Sequence, residues 1–230
     1  MTGWADSGPV AVYLEHGRQY VLACAVDWPG WCRYGRSQES ALEALASCAR
    51  RYALLAEMAD IPFGQARPAF AVIERLAGSA TADFGAPGLI PACDLQAVDA
   101  ATARRHAILL TAAWAAFYQV SGGRPTSRLV DHVISADVAS ARKLGIRRRQ
   151  PSMRDAAGIV ALREEISAVI GHPSDGRPVV PRGWPARYAA RQIAWHVIDH
   201  SWEIEDRGPA GGIHGLRRSA AVSEQPPQRA

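Results

Sequence analysis

The segment RQIAWHVIDHSWEIEDR, residues 191–207, sets His196 and His200 four positions apart within an apolar, aromatic-rich run. On a helix, residues four apart lie about 40° from each other around the axis and one turn along it, so the two rings share a side. That spacing suits chelation of one cation. A lone histidine on an apolar face is more often a packed core residue than a ligand. Here His132 stands among Leu129, Val133 and Ala136 in LVDHVISAD, on what reads as the inner face of another helix. Three imidazole nitrogens converging between helices leave a divalent cation at least one position for water or substrate, the form of a catalytic rather than a closed structural site. Without a cation, each buried ring needs a hydrogen-bond partner that a largely apolar face does not supply. Glu203 has two readings: it orients a ligand ring or acts as a general base, or it is an exposed glutamate paired with Arg207 one turn on.

The elements that must carry these residues are helical. From 96 to 206 the apolar positions recur at helical spacing in four stretches. The first, about 96–120, aligns His106, Leu110, Ala113 and Phe117. The second, about 126–144, aligns Leu129, His132, Val133, Ala136 and Ser140. The third, about 152–170, aligns Ile159, Leu162, Ile166 and Val169. A Pro- and Gly-rich loop leads into the fourth, about 185–206, where Trp195, Ile198 and Trp202 form a second stripe that must meet a neighbouring helix or the N-terminal part. Four amphipathic helices with moderate connections predict a four-helix bundle.

These segments resemble the DinB/YfiT-like superfamily. In that family a histidine of the second helix and an H-x-x-x-H pair on the fourth bind one divalent metal inside an antiparallel four-helix bundle, and the matching residues are His132, His196 and His200. The similarity in helix order covers residues 96–206. It implies Zn, Ni, Fe or Mn as cofactor, a small-molecule substrate, and S-transfer or isomerisation that uses a low-molecular-weight thiol such as bacillithiol or mycothiol. The related sulfoxide-forming iron enzymes carry a glutamate two positions after the second histidine. Trp202 holds that place here, which argues against their oxygen chemistry.

Residues 10–76 have a different texture. VAVYLE, YVLACAVD and WCRYGR are short Val-, Tyr- and Trp-rich runs separated by HGRQ and by the turn-forming WPG, the pattern of a β-meander. Ser37 is placed to cap a helix running to about Met58, with Glu39 in its first turn, and FAVIERL at 70–76 reads as one more strand. VDWPGWCRYGRSQESALEAL resembles the core of HicB-like antitoxin domains, which implies a β-β-β-α-β module and a protein partner; a purely structural α/β module accounts for the same residues. The DNA-binding segment that usually follows in that family has no counterpart here. The whole is thus expected to be α+β in two domains, 10–76 and 96–206, joined by a Gly- and Pro-rich linker at 77–95. A non-catalytic interaction protein is the alternative to an enzyme. The tail from 207 to 230 lacks apolar periodicity and reads as disordered.

Composition narrows the classes further. The 230 residues are 48% hydrophobic and 21% charged, ordinary for a globular chain. The longest apolar run, 107–118, is about half of what spans a bilayer, and the N-terminus lacks the features of a signal peptide, so a cytoplasmic protein without a membrane partner is expected. Net charge is +4, with Lys143 the single lysine among 26 basic residues, weak grounds for a nucleic-acid partner. Cys24, Cys32, Cys48 and Cys93 form no C-x-x-C pair and read as reduced thiols. His106 either lines the pocket or packs as a core histidine. Arg147, Arg148 and Arg149 either receive an anionic group or form a solvated charge run. Asp199 pairs with a surface arginine, and Trp28, Trp31 and Trp184 are contact or core residues. Neither His172 nor His214 is assigned a site. Bundles of this kind pair into homodimers, but no apolar stripe demands it.

Overall fold

Near-continuous apolar runs along the first strands dictate a sheet with two buried faces. In the computed structural model, which describes residues 8–64, 68–78, 80–122 and 128–207, Val10–His16 (β1), Val21–Ala25 (β2) and Cys32–Gly35 (β3) form an antiparallel meander. Phe70–Ala77 (β4) then pairs with β1 in parallel, giving the order β3-β2-β1-β4. Val21, Ala23 and Ala25 face one side, toward the helices that follow β3, while Leu22, Cys24 and Val26 face the other.

The two helices between β3 and β4 provide the crossover that a parallel pair requires. Ser37 caps Gln38–Ser47 (α1) in a reciprocal arrangement: its Oγ accepts from the Ser40 N–H at 3.2 Å, and its N–H donates to Ser40 Oγ at 2.9 Å. The single helix predicted to reach Met58 is divided at Cys48, whose N–H bonds to the Leu45 carbonyl three residues back, and Ala49–Met58 (α2) continues from there. Leu45, Tyr52 and Leu55 are all buried against the sheet.

Residues 80–95, where periodicity lapses, cover the second face of the sheet. They form two short 3-10 turns, Ala80–Phe84 and Ala92–Leu95, and Ala82 and Cys93 pack with Tyr13, Leu22, Cys24 and Trp195. Ala100–Val120 (α3), Arg128–Lys143 (α4), Ala156–Ile170 (α5) and Ala186–Arg207 (α6) follow and pack on one another, the α3–α6 contact being the most extensive. The larger apolar cluster runs unbroken from the sheet through α1 and α2 into these four helices. The chain is therefore α+β. No helix among the described residues is long and apolar enough to cross a membrane. The tail from 208 onward, with His214, lies outside the described residues.

Two helices begin four residues later than their apolar pattern predicts, because aspartates cap them. Asp99 Oδ1 accepts from the Thr102 N–H at 2.7 Å, and Asp155 Oδ1 accepts from the Gly158 N–H at 2.9 Å.

The turn between β2 and β3 presses directly on α6. Gly30 has φ +85°, and a Cβ there would overlap Ile198 and the Ala194 backbone. Beside it, Tyr52 donates to the Pro29 carbonyl at 2.8 Å and Trp31 Nε1 to the Leu45 carbonyl at 3.0 Å. Gly30→Ala is expected to cost about 2 kcal/mol or more, since left-handed strain and a backbone clash add. Urea denaturation reads this directly; a cost below about 0.5 kcal/mol means that the turn is free to move off the helix.

Candidate metal centre

The sheet and α3 hold α6 in place so that its histidines meet α4. Burial on α6 runs almost all the way round between Ala186 and Trp202, so this helix is the central one of the four. Its outer stripe meets the N-terminal part: Trp202 lies between two guanidinium groups, Arg33 at 3.8 Å and Arg51 at 4.8 Å from the ring centroid. Arg33 also reaches Asp199 at 3.5 Å. Helix α4 is fixed by Asp137, which is buried and accepts from Trp114 Nε1 of α3 at 3.2 Å and from Arg163 of α5 at 3.0 Å. Burial pushes the Asp137 carboxyl up, against the pull of the Arg163 charge.

Between these helices three imidazoles converge. His132 and His196 bring their Nε2 atoms to 3.1 Å. Ring centroids lie 5.0 Å apart for His132 and His196, 5.1 Å for His132 and His200, and 4.6 Å for His196 and His200. One donor nitrogen from each lies within 4.8 Å of the others. Four-coordinate zinc with bonds of about 2.05 Å needs donor atoms about 3.3 Å apart; the His132–His196 pair, at 3.1 Å, has that spacing, and the His200 nitrogen closes on them by side-chain rotation from within 4.8 Å. Among the described residues, this is the one group of three such side chains that could hold a metal ion.

The site lies at the border of the apolar core. His196 and His200 are half-buried, while His132 is exposed. The inner face predicted for the second helix is thus turned by about one position: Val133, Ile134, Asp137 and Val138 are buried, and His132 flanks them. Its ring still reaches His196, and the flank leaves one side of the cluster open to solvent. Burial, then the charges of His200 and His132, lower the His196 pKa to about 3, so its ring is neutral and its lone pair available at neutral pH.

A carboxylate backs the cluster. His200 Nδ1 lies 2.8 Å from Glu203 Oε2, and the other oxygen, Oε1, accepts from Arg207 Nη2 at 2.6 Å. Glu203 therefore makes both contacts at once, one oxygen to each. A carboxylate on Nδ1–H fixes the tautomer and leaves Nε2 as the ligating atom. With both oxygens engaged, Glu203 is suited to holding the ring rather than to abstracting a proton.

The remaining candidates lie elsewhere. Arg148 pairs with Glu165 at 2.7 Å on an exposed face, and Arg147 and Arg149 are exposed. His172 Nδ1 lies 2.5 Å from the Ala168 carbonyl. Trp28 and Trp31 belong to an aromatic core with Tyr52 and Phe63, Trp31 stacking on Tyr52 at 5.6 Å, and Trp184 meets Tyr188 edge-on at 5.1 Å. Sequence reading missed the pair of Asp94 and Arg191, 97 positions apart and both buried, with Arg191 Nε donating to Asp94 Oδ1 at 3.0 Å. The apolar setting of Arg191 among Ala190, Ile193 and Ala194 was the available signal.

His106 packs in the core of α3, 1% exposed, and its Nε2 has no hydrogen-bond partner among the described residues. Burial, then the nearby charges of Arg187, Arg105 and Arg191, lower its pKa to about 3. Between the unfolded value of about 6.5 and this folded value the unfolded chain binds a proton that the native ring refuses. Stability is therefore lost as pH falls through this window, by up to about 1.4 kcal/mol per unit. In chelator, His106→Leu is expected to flatten the dependence of urea midpoint on pH between about 6.5 and 4; an unchanged slope refutes this.

Comparison of the chain with family models, with curated proteins and with solved structures finds no match.

Proposed function

We propose that the chain is a divalent-metal-dependent enzyme of the DinB-like class, a thiol-dependent S-transferase or isomerase acting on an electrophilic small molecule. In this reading α3 to α6 are the antiparallel four-helix bundle, and residues 10–76 are a HicB-like module that docks on it and offers a surface to a protein partner. The observation that carries the reading is the convergence of His132, His196 and His200, backed by Glu203 on His200.

The donor set fits Zn, Ni, Fe or Mn: three imidazoles, no thiolate, and a solvent-facing side on which further positions stay open. When bound, such a cation supplies Lewis acidity that lowers the pKa of a thiol or water beside it. The chain does the rest. His132, His196 and His200 fix the position of the cation. Glu203 keeps the Nδ1 proton of His200 in place, and Arg207 holds Glu203. Trp202 is buried between Arg33 and Arg51, so the position that carries a glutamate in the sulfoxide-forming enzymes has no ligand to offer here.

The test is metal analysis of the purified protein together with thiol consumption across a panel of electrophiles, with and without chelator. About one equivalent of metal and chelator-sensitive thiol consumption are expected. Bound metal with no thiol consumption, and a stoichiometric partner retained through residues 10–76, leaves the interaction-protein reading instead. Less than about a tenth of an equivalent after loading with all four metals refutes the metal centre itself.

A further inference from the structure

We propose that Cys24 and Cys32 are a modification site: an oxidisable dithiol that closes into a cross-strand disulfide under a peroxide or a low-molecular-weight disulfide. The proposal stands apart from the histidine cluster. In the sheet Cys24 pairs directly with Cys32 across β2 and β3. The Ala25 N–H donates to the Trp31 carbonyl at 2.9 Å, which makes 25 and 31 a hydrogen-bonded pair and the next pair, 24 and 32, a non-hydrogen-bonded one. At such positions opposed Cα atoms lie about 4.5 Å apart, inside the range that a disulfide accepts. Both side chains point to the same face, with Tyr13 and Leu22, and their sulfurs are 2.7 Å apart.

The other thiols are placed differently. Cys48 receives the Arg33 Nε–H at 3.2 Å, and Cys93 sits beside Asp94. The one three-ligand group among the described residues contains no cysteine, so the pair lacks the further ligands of a thiolate metal site. What a facing pair of thiols can do without a metal is couple to each other.

Access comes through the edge. Both cysteines are buried, and the cavity beside them, bounded by Tyr13, Tyr188, Arg191 and Trp195, is about 10 Å³, room for one water-sized molecule. Strand β3 has four residues and lies at the margin of the sheet, so local fraying exposes both sulfurs together. Burial pushes the Cys32 thiol up, which keeps it protonated in the closed sheet and confines its reaction to the opened strand. With peroxide, one thiolate attacks an oxygen, the O–O bond breaks, and hydroxide leaves and is protonated to water. The second sulfur then attacks the sulfenic sulfur, the S–O bond breaks and a second water leaves. Two thiols are oxidised and one peroxide is reduced. The new bond closes a loop that contains Trp28, Gly30 and Trp31, the turn that packs on α6.

Cys24 and Cys32 fall in one tryptic segment, residues 19–33, bounded by Arg18 and Arg33. Reduced protein is treated with hydrogen peroxide or diamide, alkylated, digested and weighed. The expected product is segment 19–33 short of two hydrogens, closed to alkylation until reduced, in the wild type and equally in a Cys48→Ser/Cys93→Ser variant. The oxidised protein should melt roughly 5–10 °C higher, reversibly with reductant. Segment 19–33 alkylated at both positions after oxidation, or carrying only sulfinic acid or mixed disulfides, overturns the proposal. The wild-type readout does not depend on any variant folding.

Discussion

Replacing His196 with alanine is expected to abolish metal binding while leaving the fold intact. All three rings touch one another, and His196 makes the shortest contacts: its Nε2 lies 3.1 Å from that of His132, and its centroid is 4.6 Å from His200. Removing it leaves two imidazoles whose centroids are 5.1 Å apart. Loss of an outer partner of a ligand costs about 10–100-fold in affinity, so loss of a ligand itself should cost at least about 100-fold. The change reads out as stability. A ligand at 100 times its dissociation constant, bound by the native state alone, adds about 2.7 kcal/mol, which for a chain of this size raises the melting temperature by about 5–10 °C. Wild type should show this shift on adding Zn, Ni, Fe or Mn, and His196→Ala should not. Glu203→Gln should keep the shift but need about tenfold more metal, because a neutral amide orients the ring without raising its basicity. An equal shift in wild type and His196→Ala would place the bound metal elsewhere.

The site was legible in the sequence because its information is local. The i, i+4 relation of His196 and His200 survives any error in helix boundaries, and a third histidine on a second amphipathic helix needs only an approximate face. His132 shows the limit of that argument: helical phase read from apolar residues alone missed the buried Asp137, so the predicted inner face was turned. Strand positions followed from composition, and the antiparallel meander from short turns. The parallel pairing of β4 with β1 is a non-local choice that no spacing announces. Cys24 and Cys32 escaped notice for a related reason. Their partnership depends on strand register, set by the length and conformation of the Trp-Pro-Gly turn rather than by a cysteine motif.

The largest loss of stability is expected at a pair that sequence reading left unpaired. Asp94, in the 3-10 turn ahead of α3, is fully buried, and Arg191, in the first half of α6, is 5% exposed. They meet in a two-point contact, Nε on Oδ1 at 3.0 Å and Nη2 on Oδ2, with the guanidinium 4.6 Å from the Tyr13 ring centroid. The pair thus ties the irregular segment, the sheet and α6 together at one buried point. Asp94→Ala removes the counter-charge and leaves a guanidinium enclosed beside Tyr13, Cys24 and Trp195. Breaking one half of a buried pair costs about 3–5 kcal/mol, a large share of a domain's stability, and should lower the melting temperature by about 10 °C or more. The cost belongs to the stranded charge rather than to the net worth of the pair, so the double variant Asp94→Leu/Arg191→Met should recover most of it. Urea denaturation of the two variants separates these contributions. A single variant within about 1 kcal/mol of wild type would mean that water reaches Arg191, and a double variant no better than the single would mean that the pair itself, not the relief of a lone charge, holds α6 to the sheet.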